Sequence, residues 1–337
     1  MSAASNEAAA LLLDATLTKR FGAREVLQDA TLRVRPGTVH ALVGENGAGK
    51  STLVKIVAGV LRGDRGTLTL HGAPRPVQTW TRQHARAAGI GIVQQHGAFA
   101  GTLSIVENAV LGVEPFRGPL LDLEPTATKL RDLATKVGLP IDPHAPAGAL
   151  SLGAAQRAEI VTALHHGARL LILDEPTAVL APIEVEGLLE RLRSLAASGT
   201  TIVIVTHKLD EVRAVADDVT VLRAGKTVAT FDVHDAADAA DAADAADAAD
   251  AASDAPYRKL DVQAVAKAMV GADLAEPTTL AAPAADAKLA FHCADLGVAA
   301  DLQNISLQVR NGERVGVAGV DGNGQRELAL AIAGLVP

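Results

Sequence analysis

Cysteine is almost missing from this chain. Cys293 is the only one in 337 residues, so neither an intrachain disulfide nor a cysteine-rich metal site can form. Its expected place is that of a small buried hydrophobe. A basic excess is missing too: 31 Lys and Arg stand against 39 Asp and Glu, a net charge of −8. That balance speaks against a nucleic-acid partner, which calls for a clustered cationic face. No apolar run approaches the roughly 20 residues that cross a bilayer. The start, Met1 to Ala10, has no basic region of the kind that opens a secretory signal, and the chain is expected to stay in the cytosol. What is plentiful is apolar material, 49% of the residues, enough to build the core of one large domain or two ordinary ones.

Gly44-Glu-Asn-Gly-Ala-Gly-Lys-Ser51 follows the apolar run Val39 to Val43 and precedes the helical pattern Thr52 to Ala58. This is a P-loop in its strand-loop-helix setting. Gly44, Gly47 and Gly49 let the backbone approach phosphates and turn its amides inward, with Asn46 between them, and the helix that follows adds its positive dipole end. Lys50 is placed to neutralise β and γ oxygens, Ser51 to hold Mg²⁺ by its hydroxyl, and Thr52 to touch a further phosphate oxygen. A nucleotide triphosphate and Mg²⁺ are therefore the expected ligands.

Leu170 to Glu175 is an apolar strand ending in two carboxylates, suited to a parallel sheet whose acidic end meets the phosphates. Asp174 is placed to accept a Mg²⁺-bound water, and Glu175 to orient or deprotonate the attacking water. Thr201 to Thr206 is a second core strand, and it delivers His207, whose neutral imidazole can bond a γ-phosphate.

The chain also repeats itself. Thr31-Leu-Arg-Val-Arg-Pro-Gly37 leads into the P-loop, and Ser306-Leu-Gln-Val-Arg-Asn-Gly312 leads at the same spacing into Gly319-Val-Asp-Gly-Asn-Gly-Gln-Arg326. Gly319, Gly322 and Gly324 keep the loop glycines, but Gln325 replaces the lysine and Arg326 the serine. The second loop is expected to bind nucleotide weakly or without hydrolysis, a plain structural turn being the alternative. Between the copies lies an Asp/Ala tract with aspartates at 235, 238, 241, 244, 247 and 250, read as a solvated insertion. After it, Asp261 is a cap for a helix carrying Val262, Val265, Ala266 and Met269, with Gly271 as its stop. His165 and His166 are read as surface residues of a helix.

With these motifs in order, joined by Gly91-Ile-Val-Gln-Gln-His96, Leu150-Ser-Leu-Gly-Ala154 and Val-Thr-His-Lys-Leu-Asp-Glu-Val around His207, the chain resembles the ATP-binding subunit of a tandem-module ABC importer for simple sugars and nucleosides. The runs from Glu175 and from Gly319 resemble the nucleoside branch more than the ribose branch. The resemblance implies an α/β P-loop NTPase fold with an antiparallel β flank and a helical subdomain, plus an incomplete second α/β module. It divides the chain into an N terminus (1–10), a first ATP-binding domain (11–232, helical subdomain about 96–165), the Asp/Ala insertion (233–255), a closing helix (256–275), a linker (276–287) and the start of a degenerate second domain (288–337).

By the same resemblance Phe21 stacks on adenine, a core phenylalanine being the alternative, and Gln95 is the catalytic-site glutamine that touches Mg²⁺ and moves with the membrane partner, Gln94 being the other register. Ser151 and Gly153 match the signature that reaches a γ-phosphate across a dimer. Leu152, Ala154 and Ala155 depart from that signature, so the weakened loop at Gly319 and the weakened signature at Ser151 fall in one composite site. Implied partners are membrane permease subunits, a second ATP-binding module or a homodimer copy, and indirectly an extracytoplasmic solute-binding protein, with no nucleic acid. The implied location is the cytoplasmic face of the membrane. About 50 residues of the second module are present, fewer than a core needs, which suggests a shortened form that binds ATP and hydrolyses poorly alone. A non-hydrolysing regulatory fragment, a soluble ABC ATPase acting on ribosomes or DNA, and a P-loop kinase are the competing readings; the kinase leaves Ser151 to Gly153 without a role.

Overall fold

The computed structural model describes residues 11–94, 97–117, 120–178, 180–233, 260–271, 287–298, 302–319 and 323–336. The Asp/Ala tract from 235 and residues 276–286 of the linker lie outside them. Two compact units are present, residues 1–274 and 275–337.

The first unit opens with a hairpin, β1 (Leu13–Phe21) and β2 (Arg24–Val34), paired from Leu13 opposite Val34 to Phe21 opposite Arg24. β3 (Val39–Val43) follows, then the P-loop, α1 (Lys50–Val57), β4 (Arg65–Leu70), β5 (Ala73–Arg75), α2 (Arg82–Ala87) and β6 (Ile90–Val93). A mainly helical stretch comes next: α3 (Ile105–Val110), the short pair β7 (Phe116–Arg117) and β8 (Leu120–Leu121), α4 (Glu124–Lys136) and α5 (Leu152–His165). α3 starts sharply because Ser104 and Glu107 form a capping box, each side chain satisfying the other's backbone amide. The chain then returns through β9 (Leu170–Asp174), α6 (Pro182–Ala197), β10 (Thr201–Thr206), α7 (Leu209–Val215), β11 (Asp218–Arg223) and β12 (Lys226–Asp232) to α8 (Val262–Val270).

Two sheets result. The antiparallel one has the order β2-β1-β4-β5; the larger one runs β12-β11-β3-β10-β9-β6, parallel except at β12. The central strands are apolar at nearly every position because both their faces are covered. Val39, Ala41 and Val43 of β3, with Leu171 and Leu173 of β9, enter the core shared with α4 to α8, while Leu42, Leu170 and Ile172 enter the core shared with α1 and the antiparallel sheet. This pins the carboxyl ends of β3, β9 and β10, where Gly44, Asp174 and Thr206 sit side by side.

β9 stops at Asp174, one residue short of the strand read from sequence, because Glu175 turns into the left-handed region at φ 51. α8 is capped by Asp261, whose Oδ1 accepts from the Ala264 amide at 2.9 Å, and closes on Gly271 at φ 80. The two adjacent histidines are not surface residues. Both are half-buried, the His166 Nε2 lies 2.7 Å from the Ala109 carbonyl oxygen, and burial lowers the pKa of each.

The second unit holds β13 (Leu289–Val298), β14 (Leu302–Arg310) and α9 (Gln325–Ile332). Its hairpin repeats the first down to a bulge: Asp29 and Asn304, at matching positions, both take left-handed backbone at φ 48 and φ 57. The copy of β3 does not form a strand, and Val315 and Val317 are exposed. Cys293 is half-buried rather than buried.

Candidate functional site

The first P-loop is dictated by steric contact. A Cβ at Gly44 would lie 2.0 Å from the Leu222 carbonyl oxygen, and one at Gly49 2.8 Å from Leu27 Cδ2. Gly47 has open space but φ +81. The loop wraps the N terminus of α1, whose first residue Lys50 folds back so that its Nζ donates to the Gly44 carbonyl at 2.8 Å and the Glu45 carbonyl at 3.0 Å. Lys50 is buried, and that burial lowers its pKa against the pull of Glu175 and Asp174. An ammonium held in this way awaits anionic oxygens.

Ser51 Oγ donates to Asp174 Oδ1 at 3.0 Å, joining α1 to the end of β9. Burial raises the Asp174 pKa, opposed first by the Ser51 hydrogen bond and then by Lys55. A hydroxyl and a carboxylate in contact form a hard-oxygen pair that suits Mg²⁺, which keeps waters and substrate phosphates as its other ligands. No cluster of three or more His, Cys, Asp or Glu residues competes for a metal among the described residues.

Around these groups opens a cleft of about 430 Å³, lined by Arg24, Val26, Asn46, Gly47, Gly49, Lys50, Ser51, Thr52 and Glu175. His207 stands beside it, its Nδ1 3.4 Å from Glu175 Oε1. The tertiary structure thus gathers the P-loop, both acidic residues and the histidine from three separate segments. Arg24 and Val26 were not foreseen; their only sequence signal is that they follow the aromatic Phe21 in the same hairpin.

Phe21 is 48% exposed, with the Lys19 ammonium 5.3 Å from its ring centre, so it is no core residue; nor does it line the cleft. Gln95 lies outside the described residues. Gln94 lines a separate small cavity with Leu152, Gln156, Glu159 and Glu175. Ser151 caps α5, its hydroxyl accepting from the Ala154 amide at 3.3 Å, and Gly153 lines another cavity of about 270 Å³ with Gln156, Arg157, Leu180 and Glu184. Neither signature residue reaches the Lys50 cleft. In the second unit Gly324 has φ +89 and Gln325 opens α9; the Gln325 side chain folds over Gly319 as Lys50 folds over Gly44. Gly322 lies outside the described residues.

Residues 27–178 match the family described as ABC transporter. The nucleoside import ATP-binding protein NupA of Lactococcus lactis subsp. cremoris is 37% identical over 336 residues, covering 98% of this chain and 61% of that protein. The guanosine import ATP-binding protein NupO of Bacillus subtilis is 35% identical over 95% of this chain and 58% of its own length. The chain therefore spans about three fifths of the curated relatives it matches. Among solved structures, a nucleotide-free ATP-binding cassette from an ABC transporter aligns with a TM-score of 0.58 and 25% identity, over 66% of this chain and 91% of the other.

Proposed function

We infer that the chain belongs to the ABC transporter family of ATP-binding proteins, and from that premise we propose that it binds MgATP at the Lys50 cleft and hydrolyses it to drive import of a nucleoside or a simple sugar. One observation carries the reading: Lys50, Ser51 and Glu175 line a single cleft at the carboxyl end of a parallel sheet, with Asp174 bonded to Ser51 and His207 3.4 Å from Glu175. Lys50, the loop amides and Thr52 bind the phosphates, while Ser51 and Asp174 hold the metal. Mg²⁺, when bound, neutralises charge on the β and γ oxygens. Glu175 orients and deprotonates the attacking water, and His207 fixes Glu175 and bonds the γ-phosphate. Among the similar import proteins, NupA and NupO are named for nucleosides while others are named for ribose or galactose and for glucose, so the solute class proposed spans both. Membrane permease subunits and a second ATP-binding surface, from another module or another copy, are the partners this reading requires. Their place is the cytoplasmic face of the membrane.

Calorimetry of MgATP on the purified chain, paired with turnover of the parent and of Glu175→Gln, tests it. Binding in both proteins with hydrolysis only in the parent is the expected pattern. Absence of binding, or turnover indifferent to Glu175, overturns it.

A further inference from the structure

We propose that Glu211 is a positioning residue that clamps the loop bearing Glu175 to the loop bearing His207. Glu211 is the third residue of α7 and is only 4% exposed. A carboxylate so buried must find donors, and it draws them from both loops. Thr177, two residues beyond Glu175, donates its hydroxyl to Oε1. Thr206, just before His207, donates to Oε2 at 2.9 Å. Lys208, just after His207, brings its ammonium to 3.2 Å from Oε1 and also donates to the Thr177 carbonyl at 3.3 Å. One side chain thereby ties residues on either side of His207 to the segment that follows Glu175.

That segment needs holding. Glu175 sits at φ 51, a left-handed backbone that costs a non-glycine residue about 1 kcal/mol or more and persists only where surrounding contacts enforce it. The enforcing contacts come from three directions. The Glu175 amide bonds the Val205 carbonyl at 2.9 Å, Gln156 of α5 donates to the Pro176 carbonyl, and Glu211 holds Thr177. Of the three, Glu211 also grips Thr206 and Lys208 of the histidine loop, and with the bond from Lys208 to the Thr177 carbonyl it supports the 3.4 Å approach of His207 to Glu175. Glu211 does not line the nucleotide cleft. Its removal therefore acts on turnover and leaves binding in place.

The inference rests on the proposed roles of Glu175 and His207, and the experiment separates the two. Glu211→Ala and Glu211→Gln are made in the full chain and compared with the parent for MgATP affinity by calorimetry, for kcat and KM, and for amide hydrogen exchange. Glu211→Ala is expected to lower kcat at least tenfold while KM and the calorimetric affinity stay within twofold. Glu211→Gln, which keeps one acceptor and lets the other threonine accept, is expected to recover much of the loss. Exchange at the Glu175 and Thr177 amides and at 206–208 should accelerate together in Glu211→Ala, with α1 unchanged. Exchange that stays at the parent rate, or that changes in one loop alone, overturns the clamp. So does a parallel change in kcat and KM, or a glutamine variant no better than alanine. A parent chain that binds no MgATP sinks the nucleotide reading instead, and the exchange comparison still decides the clamp.

Discussion

Gly44 and Gly47 are three residues apart in one loop, yet their substitution should fail for different reasons. At Gly44 a methyl group would meet the Leu222 carbonyl oxygen at 2.0 Å, so β3 and β11 must move apart. Gly44→Ala is expected to cost more than about 2 kcal/mol of stability. At Gly47 nothing lies within 4 Å and only the φ of +81 resists, so Gly47→Ala should cost about 1 kcal/mol. Urea unfolding of the two variants distinguishes them; equal losses would mean that the strand contact at Gly44 relaxes freely. Lys50 is a different case, since its ammonium is buried and pointed at carbonyls. Lys50→Ala should weaken MgATP binding about ten- to hundredfold, the range of one charge-assisted hydrogen bond or two, as read by calorimetry.

At the scale of elements, the neighbouring strands β3 and β11 of the large sheet carry a pair of groups with opposed titrations. His40 of β3 is fully buried, its Nε2 2.8 Å from the Thr220 hydroxyl, and burial lowers its pKa to about 3 from 6.5. Asp218 of β11 is buried between Arg35 and Asp232, and its pKa is pushed up to about 6 from 3.8, by burial first and then by Asp232. As pH falls from 6.5 towards 3, the unfolded chain gains a histidine proton the fold refuses, and stability is lost. As pH rises from 3.8 through 6, the fold gives up an aspartate proton it had favoured, and stability is lost in that direction too. Between about 4 and 6 the two slopes oppose each other. His40→Leu removes the first and keeps the second. Relative to the parent, its stability should decline as pH rises from 4 to 6, measured by urea midpoints; a difference that stays flat with pH would show that the fold does not hold His40 neutral.

For the whole molecule, the two units differ in how much they bury. Nearly all of the apolar core belongs to the first unit, while the second buries only Leu302 and Leu328 among its described apolar residues. A ligand confined to the Lys50 cleft should stabilise the first unit alone, by about 2.7 kcal/mol at a hundredfold excess over its Kd. Hydrogen exchange should slow in α1, β9 and β10 on adding MgATP and stay unchanged in β13 and β14. Slowing in both hairpins would point to a nucleotide at the second loop as well. The sequence by itself determined the P-loop, the two acidic residues and the strands β3, β9 and β10, because glycine geometry and runs of apolar residues act over a few neighbours. It also disclosed the repeat, and the shared left-handed bulge at Asp29 and Asn304 shows that the repeat extends to backbone geometry. Only the tertiary structure decided that Glu175 leaves its strand in a strained conformation, that Arg24 and Val26 wall the cleft, and that Glu211 reaches Thr177 across 34 residues. Those outcomes depend on which distant segments the parallel sheet sets side by side, and no local pattern of residues encodes that adjacency.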